Sequence, residues 1–202
     1  REAVFDAMQR RETYGTSGTR MTVRFFGGYG YTAEDAQSRY LAEVGYAKGV
    51  PMGGDLKPAA AGTAPTFLVA ALKDPQGANL DRIQIVKGWL DASGKAQEKV
   101  YEVVWAGDRK PGKDGKLPPV GDTVDVARAT YTNTIGAAEL SAAWKDPDFK
   151  PGQRAFYYAR VIEIPTPRWT AFDQVRFGVK MGPEVSLKQQ ERAWTSPIWY
   201  TS

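Results

Sequence analysis

Histidine and cysteine are both absent from the 202 residues, and the two absences remove much of the usual catalytic chemistry. Without cysteine there are no disulfides, thiolate nucleophiles or cysteine metal sites, and the compartment stays open, since cysteine-free proteins occur on both sides of a membrane. Without histidine the commonest general base near neutral pH and the commonest transition-metal ligand are missing, so serine–histidine and cysteine–histidine catalysis are excluded within this chain. No apolar run reaches the roughly 18 residues that suggest a membrane span, and no signal-peptide pattern opens the sequence. Runs of one charge sign are lacking too. The 27 basic and 23 acidic residues lie in short mixed stretches, and the net charge of +4 offers no basic stripe for a nucleic acid.

What is present suits a packed globular chain: 42% hydrophobic residues with 12% aromatics supply an ample core, so disorder is expected only locally. Arg1 has no Met before it, and Val4, Phe5 and Met8 alternate with Arg1, Glu2, Asp6, Arg10 and Arg11 as in an amphipathic helix without a preceding cap. The expectation drawn from this start is the carboxy-terminal part of a larger protein.

Helical signal covers residues 2–12 and stops at the turn formers and β-branched residues of 13–19; residues 21–26 then read as a strand with Met21, Val23 and Phe25 on one face. A further short helix is expected over 33–46, capped by Thr32 with Asp35 three positions on. Glycines and prolines carry 49–62 through a loop with no regular structure. Beyond it strands are predicted at 66–72, 81–90 and 99–106, the last two as a hairpin around Ser93-Gly94, then an elaborated connection at 107–121 and a strand at 123–134. Residues 137–144 fit helix or strand equally, 146–152 form a turn region, 155–164 make a firm strand, and 194–200 form a last strand interrupted by Pro197. The fold class is therefore mainly β: an antiparallel β-sandwich over 63–202, with an N-terminal helix and one further short helix in a region, 1–62, continuing from a missing upstream domain.

Several unusual strings fall in order along the chain: Arg1-Glu2-Ala3-Val4-Phe5-Asp6-Ala7-Met8 followed by Arg11-Glu12-Thr13-Tyr14-Gly15-Thr16-Ser17-Gly18-Thr19-Arg20, then Gly49-Val50-Pro51-Met52-Gly53-Gly54-Asp55-Leu56, Trp144-Lys145-Asp146-Pro147-Asp148-Phe149, Ile164-Pro165-Thr166-Pro167-Arg168-Trp169, and Gln190-Glu191-Arg192-Ala193-Trp194-Thr195-Ser196-Pro197-Ile198-Trp199-Tyr200. Together they resemble the bacterial domain-of-unknown-function 3604 family. That family looks like a distant branch of the polymerase and histidinol phosphatase (PHP) superfamily, near the carbaryl-type metallohydrolases. The resemblance implies that a His- and Asp-rich amino-terminal domain binds divalent metal in the parent protein and that this chain begins after its last ligand motif. No catalytic or metal-binding residue can then be named here, and the partner of the chain is that missing N-terminal catalytic domain. Localisation is undetermined; a periplasmic or secreted site would follow if the parent carries a signal peptide.

Candidate cleft or interface residues are Thr13, Tyr14, Thr16 and Arg20, in a hydroxyl-rich turn, and Arg168 with Trp169 and Arg192 with Trp194, which set a guanidinium beside an indole able to stack on a sugar or bind an acidic group. Hydroxyl-capped turns and interface packing account for the same residues. Gly53-Gly54-Asp55 lacks the context of a phosphate loop and reads as a tight turn. Asp146 and Asp148 have calcium-loop spacing without the remaining ligands and read as an Asx turn. Glu163 and Glu191 are not brought together by their spacing. The leading function is an accessory C-terminal β-sandwich region of a PHP-like metal-dependent hydrolase, catalytically incomplete by itself. The alternative is a self-standing ligand-binding module, for carbohydrate for instance, and a carboxylate-only enzyme ranks last.

Overall fold

The computed structural model describes residues 1–59 and 62–201, so the 49–62 loop is described except at Ala60 and Ala61. Two antiparallel sheets face each other. The smaller runs in the order β3(Gly49–Pro51), β2(Thr22–Gly28), β5(Thr66–Leu72), β8(Glu139–Lys145). The larger is built around β9(Ala155–Glu163), which pairs along one side with β6(Leu80–Leu90), itself paired with β7(Ala96–Trp105). Along its other side β9 takes two short strands end to end. β12(Arg192–Thr195) leads out to β1(Tyr14–Thr16), and β13(Ile198–Tyr200) leads to β4(Asp55–Leu56) through the sheet's parallel pairing. The expected break at Pro197 is the gap between β12 and β13, because a residue without an N–H cannot continue the ladder.

Alternation decides which side chains meet between the sheets. Val23, Phe25, Phe67, Val69 and Ala71 face Ile83, Ile85, Tyr157, Ala159, Val161 and Ile198 in one buried core. On the outer face of the small sheet, Phe26 and Leu68 are covered by α2(Ala33–Ala36) and α3(Leu41–Lys48) through Ala36, Leu41 and Val44. The Thr32 capping box forms as expected, with the Thr32 N–H donating to Asp35 Oδ2 at 2.8 Å. The single helix expected over 33–46 is broken between Ala36 and Leu41, and Gly45 lets α3 lie against the Phe26 ring, which a Cβ would meet at 2.4 Å. α1(Glu2–Gln9) precedes β1, and α4(Trp169–Phe177), which sequence reading did not anticipate, follows the ribbon of β10(Thr166–Pro167) and β11(Lys188–Gln189).

Two expectations are corrected and one left open is resolved. Residues 49–62 supply β3 and β4, and the first 62 residues contribute strands to both sheets. Residues 123–134 form turns with one isolated bridge, Asp125 to Thr130, because Asp122 and Asp125 accept backbone N–H groups of Val124 and Arg128 locally, in place of a ladder. Residues 137–144 resolve as the edge strand β8, paired with β5 over seven residues.

Charged groups tie the layers together. Lys87 of β6 is 2% exposed and donates at 2.7 Å to Asp146, which follows β8, and at 3.0 Å to the Asp148 carbonyl. The Tyr157 hydroxyl also donates to Asp146, and the Asp148 N–H donates to its other oxygen at 2.8 Å, so the Asx turn expected here exists and carries a buried ion pair. Arg109, donating to Asp81 at 2.7 Å and to the Ala106 and Pro118 carbonyls, holds down the 107–121 connection.

Candidate functional site

β1 is the outer strand of the large sheet at its β12 edge, and the chain around it places most of the candidate residues. Thr13 is fixed by its carbonyl, which accepts the Ser196 N–H at 2.9 Å. Tyr14 donates its hydroxyl to the Met21 carbonyl, and Thr16 donates to the Thr19 carbonyl at 2.7 Å, closing the turn. The Arg20 N–H donates to Asp74 Oδ2 at 2.9 Å. These four residues form and anchor the edge and its turn; they do not line a cavity with the others.

The other four converge. Arg168 with Trp169 and Arg192 with Trp194, two pairs more than twenty residues apart in the chain, line one groove of about 440 Å³ together with Ser17 and Glu191. The reason is topological: β12 lies between β9 and β1, while Pro165 and Pro167 turn the chain out of β9 into the β10–β11 ribbon, which returns it to β12. The Arg168 guanidinium lies 5.8 Å from the centre of the Trp169 ring, and Trp169 is 60% exposed. Trp194 stands opposite Gly15 in β1, where the space of a Cβ is empty, so the indole keeps an open flank.

Glu191 is occupied: the Ser17 hydroxyl and the Gln189 amide both donate to it, and the Arg192 N–H donates to Ser17 Oγ at 2.8 Å. Lys188 is paired with Asp122 at 2.5 Å. Among the described residues, neither Arg168 nor Arg192 has a carboxylate within ion-pair distance of its guanidinium.

Behind this groove sits a pair that spacing had not brought together. The Glu163 N–H donates to the Glu191 carbonyl at 2.9 Å, placing the last residue of β9 beside the residue that precedes β12. Glu163 is 1% exposed, and its Oε1 has no hydrogen-bond partner. Burial pushes its carboxyl up to about 7; the Thr19 hydroxyl opposes this, while the negative charges of Glu191 and Asp74 add to it. Elsewhere, Asp148 is held below the usual carboxylate range by hydrogen bonds from Lys99 and Tyr101. Gly53-Gly54 is the tight turn expected, with the Gly54 N–H donating to the Pro51 carbonyl and a Cβ on Gly53 meeting the Arg11 carbonyl at 2.2 Å. Among the described residues no group of three or more Asp, Glu, His or Cys side chains is placed to hold a metal ion, and no helix is long and apolar enough to cross a membrane.

Fold and groove together define a helix-backed antiparallel β-sandwich protein with a basic, aromatic groove at one sheet edge. The chain belongs to the family described as protein of unknown function (DUF3604), whose profile matches residues 1–202. No curated protein and no solved structure matches it. Lys188, Gln189 and Ser17 were not singled out in the sequence as site residues. A two-residue strand leaves no periodic trace, and a serine in a turn looks like any other cap.

Proposed function

We propose that this chain is the accessory C-terminal β-sandwich region of a metal-dependent hydrolase of the PHP kind, packing on its catalytic domain and shaping one side of the cleft. The observation that carries the reading is α1. Its Val4, Phe5 and Met8 are 60–64% exposed and none of its residues is buried. An eight-residue helix is marginal in water unless its apolar face packs against something. At the other end of β1, α4 leaves Phe172, Val175 and Phe177 exposed as well. Two helices with exposed apolar side chains, flanking an edge strand that has no outer partner among the described residues, suit a second domain. Among the described residues no group of side chains fits a divalent metal, and no chemical step is assigned to this chain; the metal and its ligands belong, on this reading, to the catalytic domain.

The alternative of a flat carbohydrate platform on the outer sheet face has less support, since the exposed Trp199 and its neighbour Phe156 are tilted by 50° and offer no common plane. The test compares the full-length protein with this chain on phosphate and carboxylic esters in the presence of Mn²⁺ or Zn²⁺, alongside co-purification of the catalytic domain with this chain. Hydrolysis by the full-length protein alone, and co-purification lost on Phe5→Asp with Met8→Asp, are expected. Hydrolysis by this chain without the catalytic domain would overturn the proposal.

A further inference from the structure

We infer that the groove between β12, the 17–20 turn and the start of α4 binds an acidic saccharide, a sugar ring carrying a carboxylate or sulfate. The inference goes beyond the accessory role and does not depend on it, because the groove lies wholly within this chain.

Three features select this ligand class. Charge comes first. Arg168 and Arg192 line the same hollow, with no acidic partner among the described residues, while the acid among them, Glu191, accepts from Ser17 and Gln189, and the nearby lysine is paired with Asp122. A planar guanidinium left free at a surface is suited to bidentate contact with a carboxylate or sulfate. Arg168 also stands at the N-cap of α4, whose first turn contains no acidic residue, so the positive end of the helix adds to the same field. The second feature is ring surface: Trp169 exposes 60% of its area and Trp194 38%, offering apolar faces at the rim of a hollow whose 440 Å³ suits a mono- or disaccharide. The third is the polar character of the remaining wall. Gln189, which gives an amide N–H to Glu191 and keeps its carbonyl oxygen without a partner among the described residues, lines the same hollow, and an amide oxygen matches a hydroxylated ring better than a purely aromatic acid. The frame is stiff, since the Thr170 hydroxyl donates to the Ser186 carbonyl at 2.7 Å and β10 pairs with β11.

The experiment titrates this chain with an oligogalacturonate and a sulfated oligosaccharide, using a neutral gluco-oligosaccharide of equal length and naphthoate as controls, and follows tryptophan fluorescence and calorimetric heat. Binding of the acidic saccharides, weakened by added salt, is expected, with the neutral one at least tenfold weaker. Trp169→Ala and Arg192→Gln should each weaken binding roughly tenfold, as for loss of a ring face or one charge-assisted contact. Both side chains are exposed, so unchanged thermal unfolding of the variants confirms that the loss is local. Arg192→Lys, which keeps the charge and removes the fork, should fall between. Absence of acidic-saccharide binding, equal binding of the neutral sugar, preference for naphthoate, or affinity untouched by both variants would each overturn the inference. None of these results bears on hydrolysis or co-purification, which decide the accessory role separately.

Discussion

Glu163 is the residue whose environment most departs from that of an ordinary surface carboxylate: it is buried, one oxygen lacks a partner, and Glu191 and Asp74 lie close enough to resist its ionisation. Its folded value near 7 exceeds the ordinary 4.5, so the folded protein holds a proton that the unfolded chain has released. Stability from this group is therefore full below about pH 4.5 and is lost as pH rises through 7. Glu163→Gln should leave stability nearly unchanged at pH 4.5 and raise it at pH 8 by on the order of 3 kcal/mol. Urea unfolding at the two pH values checks this, and an equal effect at both would count against it. In the sequence Glu163 is simply a charged residue at the end of a strand pattern. What makes it unusual is the approach of Glu191 and Asp74 from distant segments, which single-residue reading cannot supply.

At the scale of elements, local chemistry was a good guide wherever one face of a segment is buried. β2 was legible because Met21, Val23 and Phe25 alternate with polar residues, and the start of α2 was legible from Thr32 and Asp35. The β6–β7 turn was legible as well, because Asp91 accepts from Ser93 and Lys95 and Gly94 adopts a φ of +80°. β10, β11 and β4, at two residues each, were invisible, since pairing rather than pattern defines them. α4 was hidden by Trp169, Thr170, Phe172, Val175 and Phe177, aromatic and β-branched residues that favour strand over helix. α1 was read correctly as an amphipathic helix, yet its apolar Val4, Phe5 and Met8 stay 60–64% exposed. Its amides should exchange with deuterium close to the rate of an unstructured peptide, while those of β5, β6 and β9 open only with global unfolding. Hydrogen exchange by mass spectrometry measures this, and addition of the catalytic domain should slow both α1 and α4. Strong protection of α1 in the isolated chain would show that it is not waiting for a partner.

At the scale of the whole molecule the two sheets are joined by apolar packing and by one buried polar tie, Lys87 with Asp146 and Tyr157. Breaking such a pair leaves a charge stranded in the core. Lys87→Met should therefore cost about 3–5 kcal/mol, and Lys87→Met combined with Asp146→Leu should recover part of that loss, as thermal and chemical denaturation would show. Additive costs would mean that the two groups do not depend on each other. The sequence by itself determined the class of the molecule: absent histidine and cysteine removed whole families of chemistry, alternation declared a sandwich, and the ordered strings from Arg1 to Tyr200 matched the family to which the chain belongs. Only the tertiary structure decided which of the named residues act together. It gathered Arg168, Trp169, Arg192 and Trp194 into one groove, left Thr13, Tyr14, Thr16 and Arg20 to hold the edge strand, and drew Glu163 beside Glu191. The physical reason is that periodicity reports which face of a segment is buried, whereas a site depends on which segments become neighbours, and here that was settled by β12 lying between β9 and β1.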